Sequence, residues 1–258
     1  MKLIESYLTK NPCYTANVNK QDSRYTTFQE RGPVGLMLHS VGCAQPSAMV
    51  FVNRWNKESY DNACVHAFID ANTGDIYQTL PWNFRGWHCG GAGNNTHVGV
   101  EMCESQYISY INGYQFTVSD TAKAKADAKR AYNAAVELFA IICKEYNLDP
   151  LTQICSHKEG GAKGIASGHG DPEHYWSGLG LSYTMNGFRN DVMEAMRPEM
   201  PFEDVPAGKY YTEDVRRGWE LGFFAGTDAT HFSPKANIKR CDMAVIVMRI
   251  YDLLKGGG

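Results

Sequence analysis

The chain has 258 residues, 43% of them hydrophobic and 21% charged, which excludes a disordered polymer and leaves room for one α/β domain of roughly 150–200 residues plus something smaller. A formal charge of -3 without a long Lys/Arg stripe argues against a nucleic-acid partner, and no stretch is apolar for long enough to insert in a membrane. Met1 to Lys10 lacks the apolar run of a secretory signal. The eight cysteines (Cys13, Cys43, Cys64, Cys89, Cys103, Cys143, Cys155, Cys241) show neither a CxxC pair nor the dense spacing of a disulfide scaffold, so synthesis in a reducing cytoplasm with most thiols buried and free is expected.

In chain order, the apolar run Val34 to Leu38 ends at His39 and the turn-like Ser40-Val41-Gly42, which reads as a buried strand delivering a histidine to a sheet edge. Ser47 is placed to cap a helix reaching about Asn56. Cys64 to Asp70 alternates as a strand, Asn72-Thr73-Gly74-Asp75 turns it, and Ile76 to Leu80 returns. His97 to Met102 is a further strand with Glu101 inside it, after the loop Gly90 to Asn95. The longest helix is expected from Ser119 or Asp120 to Tyr146, where Val136, Phe139, Ala140 and Cys143 keep helical spacing and Asn147 and Asp149-Pro150 stop it. Leu151 to Cys155 is expected as the last strand, ending at Ser156-His157, with a helix near Asn186 to Met196 after a Gly-rich stretch. Two prolines in Arg197-Pro198-Glu199-Met200-Pro201 mark a linker, dividing the chain into domains 1–197 and 198–258. Two short helices follow, Thr212 to Gly222 and Lys239 to Leu254, and Lys255-Gly256-Gly257-Gly258 reads as a frayed end or a cloning remnant. The fold class is α/β, a central mixed sheet flanked by helices, plus a small all-α module.

A zinc hydrolase needs three ligands of imidazole, carboxylate or thiolate type, an open fourth position and a nearby base. His39 and His157, at the ends of two strands, could lie side by side at a sheet edge, Asp171 on the following loop could complete the set, and Glu101 is the natural base.

Five segments then carry a resemblance: Leu38-His39-Ser40, His66-Ala67-Phe68-Ile69, Gly86-Trp87-His88-Cys89-Gly90, Val98-Gly99-Val100-Glu101, and Cys155-Ser156-His157 with His169-Gly170-Asp171-Pro172. In order and spacing they resemble the type 2 N-acetylmuramoyl-L-alanine amidases, relatives of peptidoglycan recognition proteins and of phage endolysins, over roughly residues 30 to 195. The resemblance implies one Zn2+ per chain on His39, His157 and Asp171, with Glu101 activating the attacking water. The family often has Lys where His169 stands, so His169 is either the oxyanion donor or itself a zinc ligand with Asp171 behind it. A branch of the family uses a tyrosine where Val65 stands, which leaves this chain dependent on Glu101. Trp87 and His88 are implied as substrate-binding residues of the peptide groove, or as a packed loop anchor. His66 reads as a core or supporting histidine, and His97, His174 and His231 as structural or exposed.

Phe202 to Pro206, Tyr211 to Gly222, Gly226-Thr227, Phe232-Ser233-Pro234 and Ile238-Lys239-Arg240 resemble one S-layer homology repeat. That implies a module binding secondary cell-wall polymer or, since only one copy is present, a homodimerisation element. The expected activity is hydrolysis of the bond between N-acetylmuramic acid and L-alanine in bacterial peptidoglycan, as a phage endolysin released by a holin or as an autolysin. A non-catalytic peptidoglycan receptor and a cytoplasmic muropeptide-recycling amidase are the alternatives.

Overall fold

Short apolar runs bounded by turn residues form eight strands among the residues described, 1–256, in a computed structural model. They are β1 (Leu3–Glu5), β2 (Gly35–Ser40), β3 (Ala67–Ile69), β4 (Ile76–Gln78), β5 (His97–Met102), β6 (Ile108–Tyr110), β7 (Phe116–Val118) and β8 (Ile154–Ser156). Between and after them run α1 (Pro12–Val18), α2 (Ser23–Arg31), α3 (Ala48–Trp55), α4 (Thr121–Tyr146), α5 (Pro150–Gln153), α6 (His157–Ala162), α7 (Glu173–Gly178), α8 (Met185–Met196), α9 (Thr212–Glu220) and α10 (Arg240–Gly256). The chain divides into two compact units, Met1–Met196 and a second beginning at Arg197.

The first unit is built on a six-stranded mixed sheet of order β1-β4-β3-β5-β2-β8, parallel at every pairing except the β3–β4 hairpin; β6 and β7 form a separate antiparallel hairpin. Every residue of β2 is buried, as expected of a central parallel strand covered on both faces. One cover is α4 with α8, whose Ala131, Ala135, Leu138, Phe139, Phe188 and Val192 pack with Leu36, Leu38, Val98 and Val100 in one core. The other cover buries Leu8, Phe51, Val52, Phe68 and Leu80.

Helix α4 starts where its signals place it. Asp120 accepts from the Lys123 amide as N-cap, and Asn147 ends the helix in the left-handed region at φ 52°. Two expectations need correction. Leu151 to Gln153 are helical, and only Ile154–Ser156 form the strand, because Asp149 caps Pro150–Gln153 by accepting from the Leu151 amide with proline at the first helical position. Ser47 occupies the N-cap of α3 but makes no capping bond; the Ala48 amide donates instead to Asp70 Oδ2 at 3.0 Å, a partner 22 residues away. The structure adds β1, α1, α2, the β6–β7 hairpin, α6 and α7 to the elements expected from sequence.

All eight cysteines are free, six of them buried and Cys43 and Cys241 exposed. In the second unit Phe202, Val205 and Val215 form a small core with Tyr211, Trp219, Phe224 and Phe232 partly buried around it. Helix α10 continues through Lys255 to Gly256, past the expected fraying point, since Leu253-Leu254-Lys255 carries no stop signal; Gly257 and Gly258 lie outside the described residues.

Candidate metal centre

Three neighbouring strand ends converge on one point. Strand β2 carries His39 next to last, and the parallel register sets His39 directly beside Glu101 of β5. On the other side of β2, β8 ends at Ser156, and His157 opens α6. A capping box fixes that first turn: Ser156 Oγ accepts the Glu159 amide at 3.0 Å, and Glu159 Oε2 accepts the Ser156 amide at 3.1 Å. Asp171 lies on the loop before α7, held by its carbonyl accepting from the Lys158 amide at 3.2 Å and its Oδ2 from the Ser40 amide at 3.4 Å.

His39 Nδ1 and His157 Nδ1 are 3.0 Å apart, and Asp171 reaches them with Oδ2 at 3.3 Å and Oδ1 at 3.4 Å. The ligand atoms of a tetrahedral zinc site, with bonds of about 2.0–2.2 Å, lie roughly 3.3 Å from one another. Two imidazole nitrogens and one carboxylate at this mutual spacing, all buried, therefore fit such an ion. Burial lowers the His39 pKa, only partly offset by Asp171, which favours the neutral imidazole, the form able to donate a lone pair. Burial alone would raise Asp171, but its bonds to His157 and His39 outweigh that and hold it well below the carboxylate range.

Glu101 lies on the wall of a cavity of about 350 Å³ that also takes in His157, His169 and Asp171. Its Oε2 is buried without a hydrogen-bond partner among the described residues. Burial, with the negative charges of Asp171 and Glu104, pushes its pKa well up. A carboxylate so placed is a stronger base than a solvated one, and a cation beside Asp171 would offset part of the shift. His169 is exposed, its ring 4.4 Å from that of His157 and its Nδ1 2.9 Å from Ser167 Oγ.

Trp87 lines the cavity, with its indole N–H donating to the Tyr25 hydroxyl at 3.1 Å. His88 also reaches the cavity, but its Nδ1 lies 2.9 Å from His39 Nε2 and its Nε2 3.1 Å from the His97 carbonyl. With both polar atoms engaged by the chain, His88 has only ring carbons to offer a peptide, and its geometry suits buttressing His39. Gly99 is needed for this, since a Cβ there would come within 2.4 Å of the His88 ring. His174, grouped by sequence with the structural or exposed histidines, stands on the cavity wall, its Nε2 2.8 Å from the Tyr110 hydroxyl, which donates to Glu104 at 2.7 Å. Burial raises Glu104 to about 7. Ser167, Tyr110 and Glu104 carried no sequence signal, because partners such as Cys89 for Ser167, His174 for Tyr110 and Gly42 for Glu104 lie far away along the chain.

His66 sits in the core, as read. Its Nε2 donates to the Phe84 carbonyl at 2.7 Å and its Nδ1 accepts the Gly99 amide at 3.0 Å. Burial lowers its pKa to about 4, whereas the unfolded chain takes up a proton near 6.5. The sign follows: stability is complete above about pH 6.5 and falls as pH drops toward 4, because only the unfolded state gains the proton. Between pH 7 and pH 5 His66 is expected to cost about 2 kcal/mol. Urea titrations at the two pH values check this, with His66→Gln losing correspondingly less than the wild type.

Among solved structures the chain is similar to Staphylococcus aureus hydrolase AmiA in complex with its ligand, at 19% identity and a TM-score of 0.53, over 76% of this chain and 83% of that one. It is also similar to the PlyG catalytic domain (18% identity, TM-score 0.48, 76% and 96% covered) and to PlyL (21% identity, TM-score 0.47, 74% and 97% covered). No curated protein sequence matches it. The likeness to AmiA speaks for a shared fold. The family model described as N-acetylmuramoyl-L-alanine amidase matches residues 29–174, a span that holds both clustered histidines, Asp171 and Glu101 and makes up more than half of the sequence. This chain therefore belongs to the N-acetylmuramoyl-L-alanine amidase family.

Proposed function

We propose that this protein hydrolyses the amide between N-acetylmuramic acid and L-alanine in bacterial peptidoglycan, using one zinc ion held by His39, His157 and Asp171. The observation that carries the reading is this convergent donor set, two of whose members, His157 and Asp171, line one cavity with Glu101 and its buried, unpartnered oxygen. When bound, zinc supplies Lewis acidity that polarises the scissile carbonyl and lowers the pKa of water toward neutrality. Glu101 takes the proton from the attacking water and returns it to the departing L-alanine nitrogen, one group serving first as base and then as acid. His169, exposed at the rim, donates to the oxygen that gains charge as the carbonyl becomes tetrahedral. The strand ends hold His39 and Glu101 on rigid backbone, so little reorganisation accompanies the reaction.

Purified Gram-positive walls treated with the full chain and zinc are expected to lose turbidity and to yield new L-alanine amino termini by mass spectrometry. New reducing sugar ends would identify a different hydrolase, and intact walls with retained binding would identify a receptor. The activity suits an endolysin or autolysin acting on the wall from outside the cytoplasm.

We also propose that the second unit is a wall-polymer-binding module. Lys239 and Arg240, exposed at the start of α10, provide cations for acidic sugars. The double variant Lys239→Ala/Arg240→Ala is expected to lower retention on walls several-fold at unchanged activity on soluble muropeptides. Unchanged retention, with a dimer in sedimentation, would assign the unit to self-association instead.

A further inference from the structure

The protons of the clustered histidines follow from their partners. The His97 carbonyl only accepts, so His88 carries its proton on Nε2 and leaves Nδ1 to accept from His39 Nε2–H. That leaves His39 Nδ1 as a bare lone pair facing the metal position. His157 must present Nδ1 to the same position, so its proton lies on Nε2 and is donated to Ser167 Oγ at 3.1 Å. Ser167 cannot then give its own proton to His157. Two acceptors remain, the Cys89 carbonyl at 3.1 Å and His169 Nδ1 at 2.9 Å. The carbonyl already accepts the Ser167 amide at 2.8 Å, so passing the hydroxyl proton to His169 leaves no group unsatisfied. His169 then carries its proton on Nε2.

We propose that Ser167 is a positioning residue that sets the tautomers of His157 and His169 together, so that one hydroxyl secures both the metal-facing lone pair and the donor for the developing oxyanion. The His157 half rests on the proposed metal site, and the His169 half on the amidase chemistry as well. The surroundings of Ser167 are built to close tolerance. Gly90, at φ +67°, has no Cβ to crowd Ser167 Oγ, and a Cβ at Gly161 would stand 3.0 Å from the Ser167 carbonyl oxygen. Threonine keeps the hydroxyl and alanine removes it, which separates the bond from the fold.

The test uses the full chain with Ser167→Ala and Ser167→Thr, reading zinc affinity by competition with a chromophoric chelator, kcat and KM on a defined muropeptide, and thermal unfolding. Ser167→Ala is expected to weaken zinc binding about tenfold, as loss of a ligand's supporting hydrogen bond does. It should also lower kcat by roughly tenfold to a hundredfold with KM little changed, since the donor acts in the transition state. Ser167→Thr should recover most of both. Wild-type zinc affinity and kcat in Ser167→Ala would overturn the proposal, as would a Thr variant that unfolds like the wild type but performs no better than Ala. A serine-dependent zinc affinity in a protein that leaves the muropeptide intact would uphold the His157 half and overturn the amidase reading alone.

Discussion

Replacing Glu101 with glutamine is expected to lower kcat on peptidoglycan by about a thousandfold while the protein keeps about one zinc per chain, a loss within the 10²–10⁴ range of general acid–base groups. Glu101 is not among the converging donor atoms; it lies one strand over, beside His39 in the β2–β5 register. Its removal therefore takes the proton acceptor and leaves the ligands. Glutamine has the same shape and no charge, and burial already disfavours charge at that position. The fold should tolerate the change, with thermal stability equal to or above that of the wild type. Val65 stands where another branch of the family places a tyrosine, and the nearest other carboxylate facing the site, Asp171, is engaged by both histidines. Metal analysis and steady-state kinetics on a defined muropeptide check the expectation. Activity within tenfold of wild type in Glu101→Gln would place the base elsewhere, with Glu104 and its Tyr110–His174 chain the next group to test.

The second large effect is at His157. His157→Ala is expected to bring zinc content below about a tenth per chain after dialysis and to abolish measurable hydrolysis, because two remaining donors do not complete the three-ligand set of a hydrolytic zinc site. The loss differs in kind from that at Glu101, since metal and activity fall together. His157 is the first residue of α6 and has a buried ring, but its contacts are with His39, Asp171, Ser167 and His169 and not with the main apolar core. A folded, metal-poor protein is the expected product, and circular dichroism with metal analysis separates this from unfolding. A variant that keeps both zinc and activity would remove His157 from the ligand set.

Much of this site was legible because its parts fall at the ends of strands with strong local patterns. The run to His39 and the alternation around Glu101 mark β2 and β5, and the alternating pattern fixes which residues share a face. The helix Thr121–Tyr146 was readable for the same reason, from its periodic apolar face, its Asp120 cap and its Asn147 stop. Leu151 to Gln153 was misread because an Asp-Pro cap outcompetes strand propensity over so few residues. Strands β1, β6 and β7 are three residues each and were not read, whereas β3 and β4 of the same length were legible from the Asn72-Thr73-Gly74-Asp75 turn between them.

Sequence by itself determined the chemical types present, the strand ends that carry them and, through five spaced segments, the family to which they belong. Tertiary structure alone decided who touches whom. The Ala48 amide finds Asp70, His39 finds His88, and His157 finds Ser167 at separations of 10 to 49 residues where the chain returns to itself. The physical reason is that local patterns arise from backbone periodicity, whereas a buried nitrogen takes whichever partner the packed sheet and loops bring within about 3 Å. The same packing sets His88 behind His39 while it still reaches the cavity, and it brings His174 to the cavity wall and Ser167 beside His157.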